Sequence, residues 1–188
     1  MTDRDRIDIR FAGQGGQGVV AATALLGEAC TRAGLSAAGS TVYGSQSRGG
    51  AARADLVIAR GGFIDFPHVT RPHFLAVMSG EAYRAYLPDL SPEGVVLFDS
   101  YYVERDPGSV VHHEVEATRM ALDALGRSVA ANIVMLGALV GLTGIVDVEH
   151  VSTALRTSFA RPFHEANDRA MALGVERGRA IATGGGGS

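Results

Sequence analysis

The 188-residue chain has a single cysteine, Cys30, and that scarcity removes two chemistries at once. One thiol forms no internal disulfide and holds no iron–sulfur cluster, so any cluster chemistry involving this chain draws its ligands from another one. Cys30 falls on the apolar stripe Val19, Ala22, Leu26, Cys30, Ala33 and reads as a small buried hydrophobe. A strong excess of one charge is missing too. Seventeen basic and twenty acidic side chains leave a formal charge of −3, with no long basic run to bind nucleic acid or a membrane surface. The longest weakly polar stretch, Val129 to Val146, contains Asn132 and Thr143 and stops before Asp147, so it reads as a buried helix rather than a membrane span. The charged start, Met1 to Arg6, lacks the apolar core of a secretion signal, and a cytoplasmic location is expected.

What the chain does have is glycine in particular places. Ile7 to Phe11 alternates like a strand, Gly13-Gln14-Gly15-Gly16-Gln17-Gly18 follows, and an apolar-periodic segment from Val19 to Ala33 begins at once. Such a turn bares backbone N–H groups and aims them, with the helix N-terminus, at a spot suited to an anion. Gly13, Gly15 and Gly18 also satisfy Gly-x-Gly-x-x-Gly, the dinucleotide fingerprint. A nicotinamide-adenine site needs an acidic residue about 20 positions further on to hold the ribose. Between Ala29 and Ala54 there is no Asp or Glu, only Arg32, Arg48 and Arg53 among the charged residues, which weakens NAD more than NADP. No Gly-Lys-Ser/Thr follows the loop, and no serine sits in a Gly-x-Ser-x-Gly elbow.

Strand-like segments recur at Ile7–Phe11, Ala37–Tyr43, Ala54–Ala59, Phe74–Met78 and Val95–Asp99, most of them continuous enough to be buried on both faces. Helical patterns occupy Val19–Ala33 and Glu81–Leu87, then Ala117–Leu125, Val129–Thr143, Val148–Ser158 and Pro162–Ile181, with Asp147 as an N-cap and Pro162 in a first turn. The alternation implies a Rossmann-like α/β domain with a mostly parallel sheet. The Arg60-Gly61-Gly62 turn offers Phe63–Ile64 as a short antiparallel partner for Ala54–Ala59, which would make the sheet mixed. Residues 1–182 read as one domain and 183–188, with four consecutive glycines, as a flexible tail or linker.

A second glycine cluster, Tyr43-Gly44-Ser45-Gln46-Ser47-Arg48-Gly49-Gly50, leaves the second strand. In a parallel sheet both loops open on the carboxyl edge, where α/β proteins bind ligands, so that edge is the candidate site. Arg48 there either grips a phosphate or carboxylate or pins its loop against a partner subunit, and Tyr43 is ambiguous in the same way. Gln14 and Gln17 either meet a ligand or cap local backbone. His112 and His113 fall on a possible strand, which would send adjacent imidazoles to opposite faces and argues against a shared metal.

The segments Phe11–Val20, Tyr43–Gly50, Asp65-Phe66-Pro67 and Ala131–Ala138, followed by Asn167–Ala170 and Gly174, resemble in order the gamma subunit of 2-oxoacid:ferredoxin oxidoreductases. The 2-oxoglutarate type is the most similar, with the pyruvate and indolepyruvate types as near relatives. The resemblance implies a three-layer α/β/α domain that is not catalytic alone. It packs on catalytic alpha and beta subunits and a ferredoxin-like subunit, which carry thiamine diphosphate, magnesium and iron–sulfur clusters. Coenzyme A is the implied co-substrate and ferredoxin the electron partner, in oxidative decarboxylation or its reverse. It also implies that Gly13, Gln14, Gly15, Gly16, Gln17, Gly18, Tyr43, Gly44, Arg48, Gly49 and Gly50 lie beside coenzyme A or a partner. Many members have Pro-Glu where this chain has Ser45-Gln46, so no role attached to that acid carries over. The chain also lacks a Gly-Asp-Gly thiamine diphosphate motif, in keeping with cofactors held elsewhere. The alternative is a stand-alone nucleotide- or phosphoanion-binding module.

Overall fold

The computed structural model describes residues 5–42, 51–106, 108 and 110–184. Tyr43 to Gly50, the second glycine cluster, and 185–188, most of the glycine tail, lie outside them. Six strands form one sheet in the order β2-β3-β1-β4-β5-β6. They are β1 (Arg6–Gln14), β2 (Ser36–Val42), β3 (Ala51–Ala59), β4 (Phe74–Val77), β5 (Val95–Phe98) and β6 (Val111–Glu114). The helices are α1 (Val19–Arg32), α2 (Gly80–Tyr86), α3 (Ala117–Leu125), α4 (Ala131–Thr143), α5 (Val148–Ser158) and α6 (His164–Ala182).

The pairs β1–β4, β4–β5 and β5–β6 are parallel, whereas β3 runs antiparallel to both β1 and β2. The sheet is therefore mixed, but not through Phe63–Ile64. Those residues form no strand, and Phe63 is 87% exposed. The reversed strand is β3 itself, which the 43–50 connection returns between β2 and β1. β2 is an edge strand, half-buried to exposed along its length, and so is not among the strands covered on both faces. Because β2 and β1 share a direction, their carboxyl ends still reach the same edge, with Ala51 at the start of β3 beside Gln14.

Alternation along the strands divides the core into two layers. Ile7, Ile9, Phe11, Ala76 and Leu97 face the larger one, under α1, α3, α4, α5 and α6. Ala12, Leu75, Val77, Val96 and Phe98 face a smaller one under α2. The result is the expected α/β/α sandwich with unequal helical layers. Helix α4 lies in the middle of the larger layer, buried on every residue from Ala131 to Val140. It runs alongside α6 in the same direction, because Gly174 lies against Val134 to Ala138 and Gly178 against Ala138 to Leu142. A methyl group at Gly137 would stand 2.6 Å from the Met171 carbonyl, so glycine is what lets the two backbones touch. Asp147 stands at the N-cap of α5 as expected, although its side chain makes no capping bond, whereas Pro162 lies not in the first turn of α6 but in the short 3-10 turn Arg161–Phe163 just before it. Among the described residues no helix is long and apolar enough to cross a membrane.

The alternation of β1 hid one feature. Asp8 and Arg10 sit on the strand's second face, which the pattern alone would give to solvent, yet both are buried. The Arg10 guanidinium donates to both Asp55 oxygens at 2.7 and 3.0 Å, to Asp89 Oδ2 at 2.6 Å and to the Val69 carbonyl at 3.0 Å, with the Tyr86 ring stacked over it. Burial alone would lower its pKa, but the Asp55 and Asp89 bonds outweigh that and hold it raised.

Candidate functional site

The site is the carboxyl edge of the sheet where β1 and β4 end. After β1 the chain turns toward β2 and β3, and after β4 toward β5, so the crevice between their ends is the topological switch point where doubly wound proteins place ligands. Here that crevice is bridged by Gln17. Its amide oxygen accepts from the Gln14 N–H at 2.6 Å, and its NH₂ donates to the Met78 carbonyl at 2.8 Å, just beyond β4. Gly13 makes room for this arrangement, since a Cβ there would approach Gln17 Oε1 to 2.7 Å.

The rest of the loop is held from α4. Gly18 starts α1 in the left-handed conformation, φ 76°, and the Asn132 amide lies directly over it, donating to its carbonyl at 3.1 Å. The one polar side chain in the first turns of α4 therefore finds an internal partner across 114 residues of sequence. Gly16 is also left-handed, φ 96°. Gly15 differs from both: its φ is not positive, and a Cβ added to it would meet nothing within 4 Å. Gln14, Gly15 and Gly16 are exposed, and α1 opens with neither a side-chain cap nor an acidic residue in its first turn. The edge thus presents bare backbone backed by the positive end of a helix.

Beside the Gln17 bridge lies a cavity of about 220 Å³, lined by Gly16, Met78, Tyr102, Thr118, Ser128 and neighbouring residues. It is smaller than the ~300–1,000 Å³ of drug-sized ligand sites, whereas a wider groove of about 430 Å³ runs along the loop itself, lined by Gln14, Gly15, Gly16, Gly18 and Val20. Tyr102 and Val129 stand at the rim of the smaller cavity, 50% and 75% exposed. Its floor is cross-linked by hydrogen bonds: the buried Asp99, just past β5, accepts from the Thr118 hydroxyl at 2.6 Å and from the Thr118 and Tyr101 N–H groups. Burial pushes the Asp99 pKa up, and the bonds from Thr118 and Tyr101 offset part of that.

The two histidines of β6 face opposite ways, as expected. His112 Nε2 lies 2.9 Å from the Tyr83 hydroxyl, and its Nδ1 faces the Val110 carbonyl at 2.9 Å, which makes Nδ1 the protonated nitrogen. His113 lies on the other face, its pKa lowered by burial and by Arg177 and His112. Among the described residues no group of three or more His, Cys, Asp or Glu gathers within reach of one metal ion. Cys30 is buried, and burial pushes its thiol up to about 12. Of the eleven candidate residues, the structure brings Gly13 to Gly18 to this edge, whereas Tyr43, Gly44, Arg48, Gly49 and Gly50 fall outside the described residues. Sequence alone gave no sign of Met78 and Thr118, because nothing local marks a strand end that faces a loop 61 positions away.

Comparison with known proteins follows the same lines. Residues 8–177 match the family model described as pyruvate ferredoxin/flavodoxin oxidoreductase. The chain is similar to the 2-oxoglutarate synthase subunit KorC of Methanocaldococcus jannaschii, 38% identical over 175 residues that cover 91% of this chain and 93% of the relative. It is also similar to the pyruvate synthase subunit PorC of Methanothermobacter thermautotrophicus, 30% identical over 172 residues, 90% of this chain and 94% of the relative. Among solved structures, the gamma subunit of a keto/oxoacid ferredoxin oxidoreductase from Geobacter sulfurreducens PCA superposes with a TM-score of 0.82 at 35% identity, covering 94% and 98% of the two chains.

Proposed function

The chain belongs to the pyruvate ferredoxin/flavodoxin oxidoreductase family, and from that premise we infer that it is the gamma subunit of a 2-oxoglutarate:ferredoxin oxidoreductase. The observation that carries this is kinship over nearly the whole chain, to KorC in sequence and to a gamma subunit in fold. The enzyme oxidatively decarboxylates a 2-oxoacid, or runs the reverse carboxylation, with coenzyme A and ferredoxin as co-substrates.

In this reading the domain spans residues 1–182, and thiamine diphosphate, magnesium and iron–sulfur clusters reside on catalytic alpha and beta subunits and a ferredoxin-like subunit in the cytoplasm. The exposed Gly15–Gly16 backbone and the uncapped start of α1 offer N–H donors to a coenzyme A phosphate or to a partner's carboxylate. Gln17 supports this loop from within rather than meeting the ligand. Tyr43, Gly44, Arg48, Gly49 and Gly50 belong to the same proposed site, with Arg48 as its charged residue.

Purification of the native complex tests the assignment. It is expected to contain a thiamine-diphosphate-binding subunit and to reduce ferredoxin with 2-oxoglutarate and coenzyme A only when this chain is present. A complex without such a subunit would refute it. Arg48→Ala is expected to raise the KM for coenzyme A or to weaken assembly by about tenfold, the loss of one charge-assisted contact. Unchanged kinetics and assembly would remove Arg48 from the site. Calorimetry on the isolated chain addresses the stand-alone module: tight nucleotide binding without partners would favour it over the subunit.

A further inference from the structure

The two edges of the sheet are built differently. β6 has four residues, Val111-His112-His113-Glu114, and is short and polar, as natural edge strands usually are. β2 has seven, Ser36-Ala37-Ala38-Gly39-Ser40-Thr41-Val42, with no charge and no proline. Nor does it carry a bulge, since its register with β3 runs unbroken from Ser36 opposite Ala59 to Val42 opposite Arg53. Among the described residues no element lies beyond it. A long, regular, uncharged edge with unpaired backbone groups is a template for another strand.

The surface beside this edge has the same character. Ala37, Gly39 and Thr41 line a groove of about 310 Å³ with Val20, Ala24 and Thr31 of α1. None of the residues lining it is charged. The nearby charges of α1 turn elsewhere: Glu28 pairs with Arg32 at 2.7 Å and accepts from Thr157 of α5 at 3.0 Å.

We propose that β2 pairs antiparallel with β2 of a second copy of this chain, about a two-fold axis at Gly39, so that the two sheets become one. The sequence of the strand is what commits the edge to its own copy. That axis sets Ser36 opposite Val42, Ala37 opposite Thr41 and Ala38 opposite Ser40, so no like charges meet and no bulky side chain obstructs the approach. Small residues on the open flank of α1 let the two helices close over the junction. The strand is about 24 Å long. With one helical layer above it, the contact buries on the order of 500 Å² per copy, in the small range of weak or transient interfaces, so a reversible dimer is expected.

Sedimentation of the purified full-length chain between about 1 and 100 µM tests this. The wild type is expected to pass from monomer to dimer. Thr41→Lys puts a charge on an exposed position of β2 and is expected to weaken dimerisation at least tenfold, with an unchanged circular dichroism spectrum. Val42→Arg, at the exposed end of the strand, provides the same reading should Thr41→Lys fold poorly. A wild type that stays monomeric throughout, or folded variants that dimerise like it, would overturn the proposal. The outcome is separate from the subunit assignment: a monomer that still assembles with catalytic subunits defeats the paired strand and leaves that assignment standing.

Discussion

Glycine performs one task in two places, between α4 and α6 and in the Gly13–Gly18 loop, and the contrast separates internal contacts from external ones. In the helix pair every relevant glycine has an identifiable neighbour inside the chain: Gly137 meets Met171, Gly141 meets Val175, Gly174 meets Val134, and Gly178 meets Ala138. In the loop, Gly13 is accounted for by Gln17, and Gly18 by its left-handed φ and by Asn132. Gly15 has neither reason, and it is exposed on the edge for which we propose a partner or coenzyme A. A bare position with no internal cause is where a close approach from outside is expected.

Substitutions can break or sharpen this contrast. The largest effect is expected from Gly174→Ala, whose methyl group would run into the Val134 carbonyl and stand 2.9 Å from Ala138 N. Overpacking against backbone of this kind is expected to cost about 3 kcal/mol or more, read as a lower denaturant midpoint. Gln17→Ala comes next. It leaves the Gln14 N–H and the Met78 carbonyl without their side-chain partner, for a loss of about 1–3 kcal/mol in the same measurement. Gly15→Ala is expected to leave stability within about 0.5 kcal/mol while weakening assembly or coenzyme A use. Were it to unfold the chain, or leave both readouts untouched, the distinction between internal and external glycines would fail. The smallest effect concerns Cys30. With its thiol pushed up to about 12, the folded protein is expected to resist a thiol-specific reagent at pH 8 and to react fully once denatured.

The reach of the sequence can be judged element by element. The limits of α3 and α5 were legible because an apolar stripe between turn residues is a local signal. Helix α4 was legible as buried from its lack of charge. The glycine loop showed itself through spacing, and its two readings, own cofactor or partner surface, could not be separated by spacing alone. What favours the partner surface is kinship over nearly the whole chain to KorC and to a gamma subunit, which no local spacing carries. Arg10 was opaque in the opposite sense. Its place in an alternating strand suggested solvent, but Asp55 and Asp89 come from elsewhere in the chain to bury it.

By itself, then, the sequence determined the order and kind of most elements, the exclusion of an iron–sulfur cluster held by this chain alone, and the family, through four motifs in series. Tertiary structure alone decided that β3 runs backwards between β1 and β2, that β2 is left at an edge, and that Gln17 and Asn132 serve the loop from within. The physical reason lies in distance along the chain. Burial patterns and turn chemistry are written over a few neighbouring residues, whereas strand direction and polar pairing join groups 45, 61 and 114 positions apart, as Arg10 with Asp55, Gln17 with Met78 and Asn132 with Gly18.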